Sequence, residues 1–224
     1  MFLPISEHII RIRVKTHLGY ATIIAVYAPV NPPNGTSEAR APSDAFYEQL
    51  HSTLASAPSR DMTLILGDFN AHVGNRTSQW QSVIGPYGPD EVNANGERLL
   101  DFCANNNLIV SNSWFQHKSI HQLTWYRNGD RSQPGHMIDL VLINRKFRSS
   151  MLDTRVFRAT HLQSDHELVI STIRFKIKSK RLQQKRAPSI QTEGLPKETV
   201  FSFQSALLDA HNHACQHATG VDSI

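Results

Sequence analysis

Residues 62–74 read "MTLILGDFNAHVG", and the rest of the chain can be placed around them. Met62–Leu66 is apolar or β-compatible throughout, which reads as a buried strand. The run then stops on Gly67, Asp68, Phe69 and Asn70. A strand ending where the chain must turn leaves Asp68 and Asn70 at the rim of a sheet. Residues two apart face the same side of an extended chain, so this carboxylate and amide can converge on one ligand. The same spacing suits an Asx-turn, in which Asp68 merely bonds the backbone. Spacing alone favours the turn.

On the N-terminal side, "HIIRIRV" (8–14) alternates apolar and basic residues, and "ATIIAVYAPV" (21–30) is almost continuously apolar up to Tyr27. The first pattern predicts a half-exposed strand, the second a buried one, and the short "KTHLGY" between them predicts an antiparallel hairpin. "NPPNGTSEARAP" (31–42) reads as a loop from its Pro, Asn and Gly content. From Ser43, Phe46, Leu50 and Leu54 recur at steps of four, which predicts an amphipathic helix capped by Ser43 or Asp44. On the C-terminal side, "NGERLLDFCANNN" puts Leu99, Phe102, Cys103 and Asn106 on one helical face, and "LIVSN" (108–112) reads as the next strand. Residues 122–144 predict two strands around a Gly- and Pro-containing turn, and "ELVISTIRFKI" (167–177) a final strand. This alternation of strands, helices and hairpins predicts a mixed-sheet, layered α/β domain over 1–178, with a linker and tail over 179–224 that includes a short helix.

Composition sets outer bounds. With 224 residues, 40% hydrophobic and 19% charged, the chain can bury one large α/β core and still carry a tail. Cys103 and Cys215 cannot make a disulfide framework, so a reducing intracellular setting is expected. No apolar run approaches the roughly 18 residues of a membrane span, and "MFLPISEH" lacks the basic start of a secretory leader. No membrane partner is expected. The net charge of +4 is uneven: "RFKIKSKRLQQKR" (174–186) holds seven Lys or Arg and no acid, while the remainder has 16 basic and 19 acidic residues. Lys176 and Lys178 in that stripe are candidate phosphate contacts. A solvated edge strand and linker would look the same.

Two further places carry chemistry. Asp139 interrupts the apolar "HMIDLVLIN" (136–144), and a buried carboxylate needs a cationic or N–H partner. Asp165 and His166 stand immediately before the last strand. An Asp beside a His fixes the imidazole tautomer and favours its charged form. Asp165 then remains a hard oxygen donor suited to Mg²⁺. "HNHACQH" (211–217) suggests zinc through His211, His213, Cys215 and His217, but lacks the paired spacing of structural zinc sites.

"VYAP" (26–29), "LILGDFNAHVG" (64–74), "NANGERLLDFCANNNLIVSNSWF" (93–115), "LTW" (123–125), "MIDLVLIN" (137–144) and "SDHELVI" (164–170) occur in the order seen in the endonuclease/exonuclease/phosphatase family. The chain most resembles the branch formed by endonuclease domains of non-LTR (LINE-type) retrotransposons and the craniofacial development protein 2-like proteins. The resemblance implies a four-layer α/β sandwich of two mixed β-sheets flanked by helices, and Mg²⁺- or Mn²⁺-dependent hydrolysis of a phosphodiester in DNA or RNA, in the nucleus. It further implies roles for single residues. Asp68 would orient or deprotonate the attacking water, and Asn70 would donate to phosphoryl oxygens. Tyr27 would stand near the phosphate or leaving group. His166 would bond a non-bridging oxygen while Asp139 holds it as a cation. Asp165 matches a metal-associated position. Apart from the resemblance, Trp125 near a turn and His72 in its loop are candidate nucleic-acid contacts, although the residues themselves favour hairpin or core packing for Trp125 and a loop-shaping role for His72.

Family members begin with further strands that carry an Asn and then the Glu that is the principal metal ligand. No equivalent is found near Met1, so the domain is expected to lack its first strands and its nuclease activity to be impaired. Three alternatives follow: a non-catalytic nucleic-acid-binding or protein-binding remnant of the fold, a phosphatase, or an RNA nuclease. Oligomeric state is not legible in the sequence.

Overall fold

The computed structural model describes residues 2–30, 37–75, 79–89, 91–158, 164–175 and 196–218. The chain divides into two compact units, Met1–Ile177 and Lys178–Ile224. In the second unit the described segment is one helix, α3 (Lys197–Ala218), on which His211 and His213 lie. The side chains of Cys215 and His217 fall outside the described residues.

The first unit is built on a six-stranded mixed sheet. Its strands are β1 (Phe2–Pro4), β2 (Ile9–Thr16), β3 (Gly19–Tyr27), β4 (Met62–Asp68), β5 (Leu108–Val110) and β8 (Asp139–Asn144). Their order across the sheet is β1-β2-β3-β4-β8-β5. β2 and β3 form the expected hairpin, and β3 pairs β4 in parallel. Parallel neighbours need a crossover. α1 (Ser37–Ala55) supplies it. That helix starts six residues before the predicted cap, so part of the expected loop is helical and Ser43 is buried within the helix. Pro42 lies inside it, where the sequence suggested a breaker. Packing outweighs that local signal: Phe46 and Leu50 are buried against the sheet.

The register explains where the core stops. Ile23, Leu64 and Ile143 form one rung across β3, β4 and β8; Ala25, Leu66 and Val141 form the next; Tyr27, Asp68 and Asp139 form the third. Side chains of one rung share a face, and alternate residues along each strand keep to it. The first two rungs are apolar and are covered by β9 (Met151–Phe157) and β10 (Leu168–Ile173), an antiparallel pair whose Met151, Val169 and Ile173 pack on them. The third rung lies at the end of this cover, and there the sequence turns polar.

The opposite face carries α1 and α2 (Ala94–Asn105). Ile24, Ile65 and Leu142 of the sheet meet Leu50, Leu99, Leu100 and Cys103 there. Helices, main sheet and β9–β10 make three layers. No α-helix forms a fourth layer outside β9–β10 among the described residues of this unit, and that second sheet is two-stranded and antiparallel. β9 is a strand the sequence reading passed over. Its apolar positions are diluted by Asp153, Thr154 and Arg155.

Candidate active site

The main chain around Asp68 is tightly held. Gly67 has φ +143°, and a Cβ there would lie 1.9 Å from the Val26 carbonyl oxygen. Only glycine lets β3 and β4 close up before the rim. Beyond it, the Ala28 N–H donates to the Asp68 carbonyl at 2.8 Å and the Phe69 N–H to that of Ile138 at 3.0 Å. Asn70 takes φ +48°, its N–H donates to Asp68 Oδ1 at 2.8 Å, and its side-chain Nδ2 donates to the Ala28 carbonyl at 2.8 Å. The Asx-turn therefore exists. It also fixes the Asp68 carboxylate and aligns Asn70 beside it. One of the two N–H donors of the Asn70 amide is committed to Ala28, which leaves the other for a ligand.

The loop after Asn70 is tied to the start of α2. Asn93 caps that helix, its Oδ1 accepting from the Gly96 N–H at 2.7 Å and from the His72 N–H at 3.1 Å. A Cβ on Gly96 would meet the His72 carbonyl at 1.8 Å, so this contact too requires glycine.

The third group of residues arrives on the hairpin of β6 (Trp125–Tyr126) and β7 (Gly135–His136), where Trp125 is in register with His136. On its other side Trp125 bridges His166. The Trp125 indole N–H donates to Asp165 Oδ2 at 2.8 Å. His136 stacks on His72 with 4.5 Å between ring centroids and lies 6.0 Å from the Trp125 ring. His166 Nδ1 is 2.9 Å from Asp139 Oδ2, leaving Nε2 as the ring nitrogen open to a ligand. Asp139 itself is set by Thr124, whose buried Oγ1 accepts from the N–H groups of Ile138 and Asp139 at 3.0 Å each.

Tyr27, Asp68, Asn70, His72, Trp125, Asp165 and His166 thus line one cavity of about 520 Å³. Asp139 stands behind His166, in an adjoining cleft of about 430 Å³ that His166 also borders. Of the residues singled out in the sequence, Lys176 and Lys178 lie outside the described residues. His136 and Thr124 belong to the site and were missed. His136 carried a weak signal in "PGHMID", standing two places before Ile138, which shares its cavity. Thr124 stands inside the "LTW" motif (123–125) but had no role assigned there, because a threonine ahead of a tryptophan is an ordinary strand residue.

The electrostatics follow from the geometry. Burial raises the Asp68 pKa, as do the neighbouring charges of Asp139 and Asp165, against the Asn70 N–H and His166, which lower it. For His166, burial lowers the pKa, but the hydrogen bond and charge of Asp139, with the charges of Asp68 and Asp165, outweigh it and the net shift is upward. A carboxyl group displaced upward faces an imidazole displaced upward. The pair has the makings of a proton acceptor and a cationic donor.

Asp68 and Asp165 offer the hard oxygen donors a divalent cation takes, and Mg²⁺ often uses only one or two protein carboxylates, filling its sphere with water and substrate phosphate. No three His, Cys, Asp or Glu side chains gather to ligate an ion among the described residues. In kind, Asp165 suits such an ion, with Asp68 on the same cavity.

The mixed α/β fold is shared with nucleases and phosphatases of known structure. The fold agrees with the endonuclease domain of TRAS1, a telomere-specific non-LTR retrotransposon (TM-score 0.50, 17% identity, 75% of this chain and 62% of that one). It agrees equally with a 3'-5' exonuclease from Neisseria meningitidis (TM-score 0.53, 18%, 75% and 65%) and an AP endonuclease from Archaeoglobus fulgidus (TM-score 0.52, 14%, 74% and 65%). The sequence pattern of the endonuclease-reverse transcriptase family matches residues 21–170, and the chain belongs to that family. Craniofacial development protein 2 from Bos taurus is 31% identical over 173 residues, and its Tragulus javanicus counterpart is likewise 31% identical. Those matches cover 77% of this chain, which spans 28% and 29% of these relatives.

Proposed function

We propose that the first unit is a metal-assisted phosphodiester hydrolase of retrotransposon origin that cuts DNA. The observation that carries this reading is the polar rung Tyr27–Asp68–Asp139, joined by the 2.9 Å bond from Asp139 to His166. In this reading Asp68 is the proton acceptor and His166 the cationic donor, and both line one cavity.

In the proposed reaction Asp68 takes a proton from water as the water oxygen bonds to phosphorus. The protonated His166 donates from Nε2 to a non-bridging oxygen, where negative charge grows. Asp139 keeps that ring charged and oriented. The free N–H of Asn70 meets a second phosphoryl oxygen. The bond from phosphorus to the ester oxygen breaks, and Tyr27, 54% exposed at the rim, supplies a proton to the departing oxygen. A divalent cation, Mg²⁺ or Mn²⁺, held by Asp165 together with water and substrate phosphate, would neutralise phosphate charge. Trp125 and His72 would contact the nucleic acid beside the cut, and Lys176 and Lys178 its backbone. A nuclear location goes with such a substrate, and no helix among the described residues is long and apolar enough to cross a membrane.

A second reading, a binding module that keeps the fold without the reaction, is favoured by the small number of protein ligands for the cation. Plasmid nicking with Mg²⁺ separates the two. Activity in the wild type that is lost in both Asp68→Ala and His166→Ala supports the hydrolase. Equal background in all three supports the binding module.

A further inference from the structure

β8 begins at Asp139 on the catalytic rim and ends at Asn144. The chain then enters a 3-10 turn, Arg145–Ser150. At a strand rise of about 3.4 Å per residue this turn starts roughly 20 Å from Asp139. It borders a separate open cleft, of about 470 Å³, with Arg145, Lys146 and Arg148 along one side and Ile109, Trp114 and Phe115 among the apolar residues beneath. Among the described residues no acidic side chain lines it.

The three cations are held by neutral groups. Arg145 Nη2 donates to Ser82 Oγ at 3.0 Å, and Lys146 Nζ to the Ser59 carbonyl. Arg148 lies over the Trp114 ring, 3.8 Å from its centroid, and Lys146 over Phe147 at 5.0 Å. Asp61 lies within electrostatic range of Lys146, but it is already bonded through Oδ2 to Arg13 at 2.6 Å and to Thr22 at 2.9 Å. On the neighbouring strand, Asp153 pairs with His117 at 2.7 Å and Arg155 at 3.6 Å. Among the described residues the positive charge of the turn is therefore left uncompensated, beside a floor of rings.

We propose that this cleft is a second nucleic-acid site, an exosite for a single-stranded segment. Phosphates would bind Arg145 and Lys146, and a base would lie flat on the Arg148 guanidinium that is stacked on Trp114. A positive groove with planar groups is the combination that holds single strands without regard to sequence. A duplex keeps its bases stacked inside and could use only the charges. The site is independent of hydrolysis: it stands or falls whether or not the catalytic rim cuts anything.

The test is fluorescence anisotropy of the full chain with a labelled oligothymidylate of about twelve nucleotides, in EDTA so that nothing is cut. The variant Arg145→Gln/Lys146→Gln/Arg148→Gln should bind at least about tenfold more weakly at low salt, and the slope of log K against log salt should fall by roughly 2, near 0.7 per lost contact. Lys146→Gln alone changes an exposed side chain and should lower the slope by about 0.7, a check that survives if the triple variant misfolds. Arg148→Lys keeps the charge but loses the plane, and should weaken binding roughly fivefold or more with the slope unchanged. Unchanged affinity and slope in Lys146→Gln and in a folded triple variant overturn the proposal. So does a duplex of equal length that binds as tightly and loses as much. Phosphatidylserine vesicles that release the triple variant while the oligonucleotide does not would assign the cleft to a membrane surface instead.

Discussion

Asp139→Asn tests the ion pair at the centre of the site with almost no change in shape. Asn keeps an acceptor oxygen for His166 Nδ1, so what is lost is charge. A hydrogen bond to a charged partner is worth about 1.5–3 kcal/mol and a neutral one about 0.5–1.5 kcal/mol, so the difference is about 1 kcal/mol. The His166 and Asp139 side chains are 32% and 20% exposed, and solvent screening keeps the figure at that lower end. The sign follows from the upward shift of His166. A group whose pKa is higher in the folded protein stabilises fully below its unfolded value, near 6.5, and loses that contribution as pH rises through the folded value. Asp139→Asn should therefore lower Tm by roughly 2–4 °C near pH 5.5, and by much less near pH 9. Differential scanning calorimetry at both pH values reads this directly. An equal loss at both, or no loss at acid pH, would refute the claim that Asp139 holds His166 as a cation.

Four other outcomes follow from the same geometry. If hydrolysis needs Asp68 ionised and His166 charged, its rate against pH should be bell-shaped, with the acid limb above the ordinary carboxylate range and the alkaline limb above the ordinary imidazole range. Asp68→Asn should cut turnover about 10²–10⁴-fold; because the folded protein disfavours the Asp68 charge, thermal melting at pH 7 should show stability held or raised. Thr124→Val strands two N–H donors within the site and should cost about 1–3 kcal/mol by urea denaturation, with a drop in turnover as Asp139 shifts. Gly67→Ala drives a Cβ against Val26 and should cost roughly 2–4 kcal/mol, seen as a large fall in Tm or in soluble yield.

What the sequence made legible is what depends on short-range pattern. The β2–β3 hairpin, β4, α2 and β10 all announce themselves by periodicity, and Asp68, Asn70, Asp165 and His166 by standing where an apolar run begins or ends. Asp139 is legible for a related reason, since a carboxylate in an apolar stretch calls for a partner. The features that stayed hidden depend on packing between distant segments. Pro42 reads as a breaker until Phe46 and Leu50 are seen seated on the sheet. β9 reads as polar until it is recognised as a strand with one covered face. His136 and Thr124 gain meaning only from what folding brings to them, His72 and Trp125 for the one, the Asp139 N–H for the other.

The Asx-turn at Asp68 bears on how such motifs should be weighed. From spacing, a backbone-bonding turn and a ligand-binding pair look like rival explanations of Asp-Phe-Asn. In the fold they are one device. The Asn70 N–H that satisfies Asp68 Oδ1 also stops that carboxylate from rotating, and the Asn70 amide is fixed in turn by the Ala28 carbonyl on the adjacent strand. In the proposed mechanism Asp68 Oδ2 is the oxygen that takes the water proton, next to a histidine whose own partner is fixed by Thr124. Groups that must meet a phosphate in one geometry lose little entropy on binding when the backbone has already immobilised them. A local turn and a reactive site therefore favour the same residues, and the turn alone cannot identify the site. What supports reading this turn as part of a site is the third rung, where Tyr27 and Asp139 flank Asp68 at the end of the apolar cover.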